Sequence, residues 1–384
     1  MFFHKALQVA SIIFFVGLAY KLLSWFFKTV GTGDQNVPIS KRFFMGIEGV
    51  LLTLFTGRIF SLIKVFFVDV LFQARILKDR HDPTAWIMHI LIFYGFMGLL
   101  LLHAFNIPGS ISADQYSTIN PYLFLRNLLG LMLATGLVLA ILRRTVWMKG
   151  RVRTTGMDVY GIVILGLIVV SGFLLEGLKI NSYTEYRRMV DEYGSVTNET
   201  ESKALETYWV RNFAVVSPNI QEPVSATLLT EGREIHEMDC AECHAPPQSA
   251  FVSYAVARIT APAALGLDRA GVRTGFYYLH VLSILFGLAY FAFSKMFHIL
   301  GTPVSLFLAE MSKEGPCAPG AATRQMIEFD GCAHGGTCHM ACPVRIRRDE
   351  RIEKTAQFSP MLDCIDLKNS KDLGSRSFEN EYLG

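Results

Sequence analysis

Charged side chains are scarce in this sequence. Lys, Arg, Asp and Glu make up 18% of its 384 residues, against about a quarter in a soluble domain. That shortage argues against an ordinary soluble chain and for the membrane class. Cysteine is scarce as well, with seven residues spread too unevenly for a disulfide framework. Cys240 and Cys243 stand together, and Cys317, Cys332, Cys338, Cys342 and Cys364 follow as a second group. This clustering points to metals or cofactors. No small-residue cleavage site follows the first apolar run, residues 6–27, so that run reads as a retained helix and not a removed signal peptide. The net charge of +3 says little by itself, and no nucleic-acid partner is expected.

What the chain has instead is long apolar runs. Crossing a hydrocarbon core of about 30 Å takes about 20 apolar residues, and residues 6–27, 85–105, 122–142, 159–178 and 276–300 qualify. Between the first two, the apolar region near 45–74 is interrupted by Glu48, Arg58, Lys64 and Asp69, and reads as an interfacial amphipathic helix and not a sixth span. Basic residues cluster before the second span (Arg75, Lys78, Arg80) and after the third (Arg143, Arg144, Lys149, Arg151, Arg153). The loop between those spans, "NIPGSISADQYSTIN", holds no Lys or Arg. The positive-inside rule then puts the N-terminus and residues 180–273 outside, and the C-terminus in the cytoplasm of a cytoplasmic (inner) membrane.

That outside segment contains Cys240-Ala241-Glu242-Cys243-His244, the C-x-x-C-H attachment signature of a c-type haem. Two thiols bond the haem vinyl groups and His244 supplies one axial ligand. The stretch "LLTEGREIHEMDCAECHAPP" resembles the start of small class I cytochromes c. Half a zinc site is the bland alternative. For the sixth ligand the segment offers Met189, Met238 and His236; Met189 is the freest to reach across, and a five-coordinate haem is the other option.

Four histidines lie in two spans: His89 and His103 on the second, His280 and His298 on the fifth. Spacings of 14 and 18 residues are about 21 and 27 Å along a helix, so each pair falls near one face. Two antiparallel helices then offer one pair at each level, His103 with His280 near the outside and His89 with His298 near the inside, as two bis-imidazole b haems require. Packing or interfacial histidines are the alternative, but ionisable groups in spans are rare enough to count as functional by default. Lys295 reads as a snorkelling residue. Glu176, ending the fourth span, is a candidate for quinone proton exchange, or else a cap or ion-pair partner.

"DPTAWIMHILIFYGFMGLLLLHAF", "SGFLLEGLKI" and "FAFSKMFHILGTPV" resemble the cytochrome b fold of the nitrate reductase gamma subunit, and more closely the heterodisulfide reductase membrane subunit and DsrM-like subunits. The resemblance covers about residues 45–180 and 274–305. It implies two haems on the four histidines just named and electron exchange with a quinone, expected to be menaquinone. The inserted haem c segment departs from that family.

In the tail, "DGCAHGGTCHMACPVRIRRDE" matches the ferredoxin run C-x2-C-x2-C-x3-C-P at Cys332, Cys338 and Cys342, with Gly335 at the second position. Cys364, or Cys317 in its place, completes a [4Fe-4S] cluster, whereas a [3Fe-4S] cluster needs no ligand there. A zinc knuckle using His334 or His339, or a degenerate motif, are the bland readings.

The expected fold is an all-α integral membrane protein: a five-helix transmembrane bundle binding two b haems, with an extracytoplasmic haem c insert and a small cytoplasmic Fe–S tail. Residues 1–180 hold four spans, 181–273 the insert, 274–305 the fifth span and 306–384 the tail. The expected function is that of a quinone-reactive electron-transfer subunit in a respiratory complex, working anaerobically by analogy with the DsrM-like subunits. Its partners would be a periplasmic cytochrome c, the lipid bilayer, the quinone pool and a heterodisulfide-reductase-like cytoplasmic iron–sulfur catalytic subunit. A haem-bearing anchor or redox sensor, or a transporter with histidines in a proton path, are the competing classes. The sensor lacks a recognisable output domain, and the transporter leaves the cysteines unexplained.

Overall fold

The structure is a computed structural model that describes residues 2–28, 37–77, 83–104, 118–147, 154–220, 223–311 and 321–331. No β-strand occurs among the described residues. In chain order the main helices are α1 (Phe2–Phe27), α2 (Ile39–Leu54), α3 (Arg58–Val65), α4 (Pro83–Ala104), α5 (Tyr122–Leu142), α6 (Gly156–Asn181), α7 (Tyr183–Tyr193) and α8 (Glu199–Asn212). After these come α9 (Ala226–Asp239), α10 (Phe251–Thr260), α11 (Ala264–Arg269), α12 (Val272–Tyr290), α13 (His298–Met311) and α14 (Ala321–Gly331). Five of them, α1, α4, α5, α6 and α12, are long and apolar enough to cross a membrane, as a multi-pass membrane protein requires.

Two expectations need correction. The region near 45–74 is not one helix: α2 stops at Leu54, α3 starts at Arg58 and a π-helical turn, Phe66–Leu71, follows. The break falls on Thr56-Gly57, and glycine is among the weakest helix formers. The fifth span is also shorter than 276–300. After α12 comes one 3-10 turn, Phe291–Phe293, and Ser294 is then extended (φ −106°, ψ 171°). The Ser294 hydroxyl accepts the Met296 N–H at 3.2 Å, offering the backbone an alternative to the helical ladder. His298 therefore opens α13, and it does not share a helix face with His280.

The chain divides into two compact units. The first comprises Met1–Pro83, Arg143–Gly161 and Leu288–Gly384. Its core gathers Trp25, Phe297, Met326 and Ile327. Asp330 near the end of α14 accepts from Lys21 Nζ and Trp25 Nε1, each at 2.8 Å. Arg42 of α2 donates to Thr323 Oγ1 at 2.9 Å and to the Trp25 carbonyl at 3.0 Å. Lys295, expected to snorkel, instead donates to Asp158 Oδ1 at 3.0 Å, a carboxylate also held by Arg144 and Thr155.

The second unit comprises Thr84–Leu142 and Ile162–Gly287. Here α4 and α5 meet backbone to backbone: a Cβ on Gly136 would stand 2.9 Å from the Ile92 nitrogen. Small residues permit this contact where lipid supplies no hydrophobic drive for helix pairing. The insert folds on its own core of Tyr186, Val190, Leu205, Trp209, Phe213, Val215 and Cys240. Its helices carry side-chain N-caps: Ser182 accepts from Glu185 N–H at 3.1 Å and Asn198 from Glu201 N–H at 2.9 Å.

Candidate functional site

α9 ends at Asp239, and Cys240 begins a turn in which Cys243 and His244 donate their N–H groups to the Cys240 carbonyl at 3.1 and 2.9 Å. This local turn presents the two thiols and the imidazole from one short stretch. Cys240 belongs to the insert core and His244 packs edge-on to Trp209, ring centroids 5.3 Å apart. Burial pushes the Cys240 thiol up to about 12 and the His244 imidazole down to about 4. Two thiols and an imidazole in one turn are the groups that thioether attachment and axial ligation use, and half of a zinc site would use the same three. Among the described residues, no three His, Cys, Asp or Glu side chains converge as a metal site.

Of the sixth-ligand candidates, Met189 is partly buried against the insert core and Met238 is 75% exposed. His236 is buried among the rings of Tyr208, Trp209 and Phe213, at centroid distances of 5.1, 5.7 and 4.7 Å. Burial lowers its pKa.

The motif is tied to the chain just before α5. Ala245 N–H donates to the Thr118 carbonyl at 2.9 Å, Thr118 Oγ1 donates to the Cys243 carbonyl, and Asn120 Nδ2 donates to Ser249 Oγ at 2.8 Å. α4 carries His103 in its last turn and α12 carries His280 in its third. Within the second unit, C-x-x-C-H, His103 and His280 thus share one end.

Hydrogen bonding sets the tautomers of this pair. His103 Nδ1 lies 2.7 Å from the Leu99 carbonyl, and His280 Nδ1 lies 3.0 Å from the Ile168 carbonyl. A carbonyl oxygen only accepts, so both rings carry their proton on Nδ1 and keep the Nε2 lone pair for a metal. A backbone carbonyl behind a ligating histidine is the usual outer support of such a site. Gly172 makes room for the ring, since a Cβ there would stand 3.1 Å from His280 Cε1. His298 Nδ1 likewise bonds the Lys295 carbonyl. His89 is half-buried on α4 in the second unit, and His298 belongs to the first.

Glu176 is fully engaged. Its carboxylate accepts from Arg126, from Asn127 Nδ2 at 2.9 Å and from Ser253 Oγ at 2.6 Å. Asn127 Oδ1 in turn accepts the Ser253 N–H at 3.0 Å. Two side chains of spans α5 and α6 thereby cap the first turn of α10, with the carboxylate at its positive end. These partners favour the capping role over proton exchange. Sequence reading passed over Arg126 and Asn127, although polar residues inside an apolar span were a usable signal. Ser253 had none. The proposed cluster ligands Cys317, Cys332, Cys338, Cys342 and Cys364 lie outside the described residues; α14 ends at Gly331, immediately before Cys332.

Comparison with known proteins gives one consistent relative, the E subunit of dihydromethanophenazine:CoB–CoM heterodisulfide reductase. Over 191 residues, 44% of this chain and 69% of the relative, the sequence is 27% identical to that protein of Methanosarcina thermophila. The chain is distantly homologous to it. The Methanosarcina barkeri counterpart is 27% identical over 44% of this chain and 69% of its own length. That of Methanosarcina mazei is 31% identical over 31% of this chain and 48% of its own length. No family model and no solved structure matches. The heterodisulfide reductase likeness read from the span motifs therefore has independent support, while the haem c insert and the cysteine tail do not draw on it.

Proposed function

We propose that this chain is the membrane electron-transfer subunit of a heterodisulfide-reductase-like complex. One b haem is held by His103 and His280 and a c haem by Cys240, Cys243 and His244, while a second b haem on His89 and His298 rests on the sequence reading alone. Cys332, Cys338 and Cys342, with Cys364 or Cys317, hold an iron–sulfur cluster. Haem iron would supply one-electron transfer; the chain's own part is to hold ligands in the right tautomer, in apolar surroundings, at fixed places. The observation that carries the reading is the backbone carbonyl behind Nδ1 of both His103 and His280, at the end of the bundle that also bears C-x-x-C-H. The relatives' name includes dihydromethanophenazine and a CoB–CoM heterodisulfide, which supports a quinone-like pool and a heterodisulfide-reductase-like catalytic partner here. The charge asymmetry of the loops supports the insert outside and the tail inside.

The test is a pyridine haemochrome spectrum of the purified chain, with haem counted before and after acid–acetone extraction and EPR of the reduced protein. Two extractable b haems, one retained c haem and an iron–sulfur signal are expected. A chain with no b haem refutes the four-histidine assignment, and a chain with no haem at all returns it to the transporter class.

A further inference from the structure

His280 differs from His103 in what stands behind it. The Ile168 carbonyl lies 3.0 Å from His280 Nδ1, and the Ser171 hydroxyl lies 3.1 Å from the same nitrogen. His103 Nδ1 has the Leu99 carbonyl at 2.7 Å. Since the Ile168 carbonyl fixes the proton on Nδ1, the Ser171 oxygen faces a donor and must accept. Its own proton has a separate acceptor, the Leu167 carbonyl one turn back on α6. Ser171 is 2% exposed, so water does not compete for the bond. The neighbouring Gly172 brings the ring flush against this stretch of α6.

We infer that Ser171 is a positioning residue for the haem ligand His280, its hydroxyl oxygen sharing the Nδ1 proton with the Ile168 carbonyl and thereby setting both ring orientation and the donor strength of Nε2. The inference rests on the proposed b haem at His103 and His280. Two acceptors on Nδ1–H pull electron density toward Nε2 and make the ligand more basic, which favours the ferric state and lowers the midpoint potential. The competing view is that Ser171 only bonds back to its own helix, as buried helical serines commonly do. In that case the potential is indifferent to it.

The experiment is redox potentiometry on the purified full-length chain, comparing the parent with Ser171→Ala and Ser171→Thr, with haem content by pyridine haemochrome and low-spin g values by EPR. Ser171→Ala is expected to keep both b haems and to raise the potential of one of them. The expected ferric-to-ferrous shift is about three- to tenfold, tenfold being about 59 mV for one electron. Ser171→Thr, which keeps the hydroxyl, returns the potential toward the parent. Unchanged potential and g values in a haem-replete Ser171→Ala protein overturn the inference while leaving the b-haem reading intact. Absence of b haem from the parent itself overturns both. Should Ser171→Ala lose the haem, Ser171→Cys, a weaker acceptor, reads a smaller upward shift, and no shift there is equally decisive against it.

Discussion

Replacing Asn127 by alanine isolates the joint between the insert and the membrane helices. Asn127 and Ser253 are both 0% exposed, so the Ser253 N–H freed by the change has no water to turn to. A buried donor left without its acceptor costs about 1–3 kcal/mol, and an ordinary helix cap about 1 kcal/mol. These describe the same lost bond and are not summed. The missing Asn127 Nδ2 donor to Glu176 adds to the cost, and about 2–3 kcal/mol is a fair total. At 1.36 kcal/mol per factor of ten, that corresponds to roughly 30- to 160-fold faster local opening. Hydrogen exchange followed by mass spectrometry on peptides covering residues 250–260, in detergent or nanodiscs, reads this directly. Protection should fall in the first turn of α10 and hold in α8 and α9, whose packing does not involve Asn127. Unchanged exchange at Ser253 would mean that the cross-helix cap contributes nothing, and the capping account of Glu176 would go with it.

Other outcomes follow from the same geometry. His103→Ala and His280→Ala should each remove the same b haem, halving extractable haem while the covalent haem remains; loss of different haems would break the pairing. Replacing Cys240 and Cys243 together by alanine should abolish haem staining of the denatured band and leave the b-type spectrum in place. Gly172→Val should displace the His280 ring, whose Cε1 lies 3.1 Å from the added Cβ, and deplete one b haem, whereas Gly166→Val, with nothing within 4 Å, should not. Cys332→Ser should remove the iron–sulfur EPR signal without touching either haem type; a signal that persists discards the tail assignment.

The parts of this protein legible from sequence are those set by local chemistry. Four of the five spans fall within a few residues of their predicted places, because about 20 consecutive apolar side chains can satisfy their backbone in a bilayer only as a helix. The C-x-x-C-H groups lie within five residues, so a single local turn presents all three. The end of the fifth span was misplaced for a related reason. Apolar residues flank Ser294-Lys295 on both sides in "YFAFSKMFHIL", and the helix is interrupted there, where the Ser294 hydroxyl bonds two residues ahead. Proximity of a serine to Lys295 was the available hint.

Long-range polar pairing left no such trace. Asn127 meets Ser253 across 126 positions and His280 meets Ser171 across 109, and nothing in the neighbourhood of either residue announces its partner. Composition and apolar length determined that this is a helical membrane protein. Which nitrogen of His103 and His280 holds the proton, and that Glu176 caps a helix of the insert, were decided only in the tertiary structure. A tautomer or a cap depends on where an acceptor stands in space, and the packing of helices far apart in sequence puts it there.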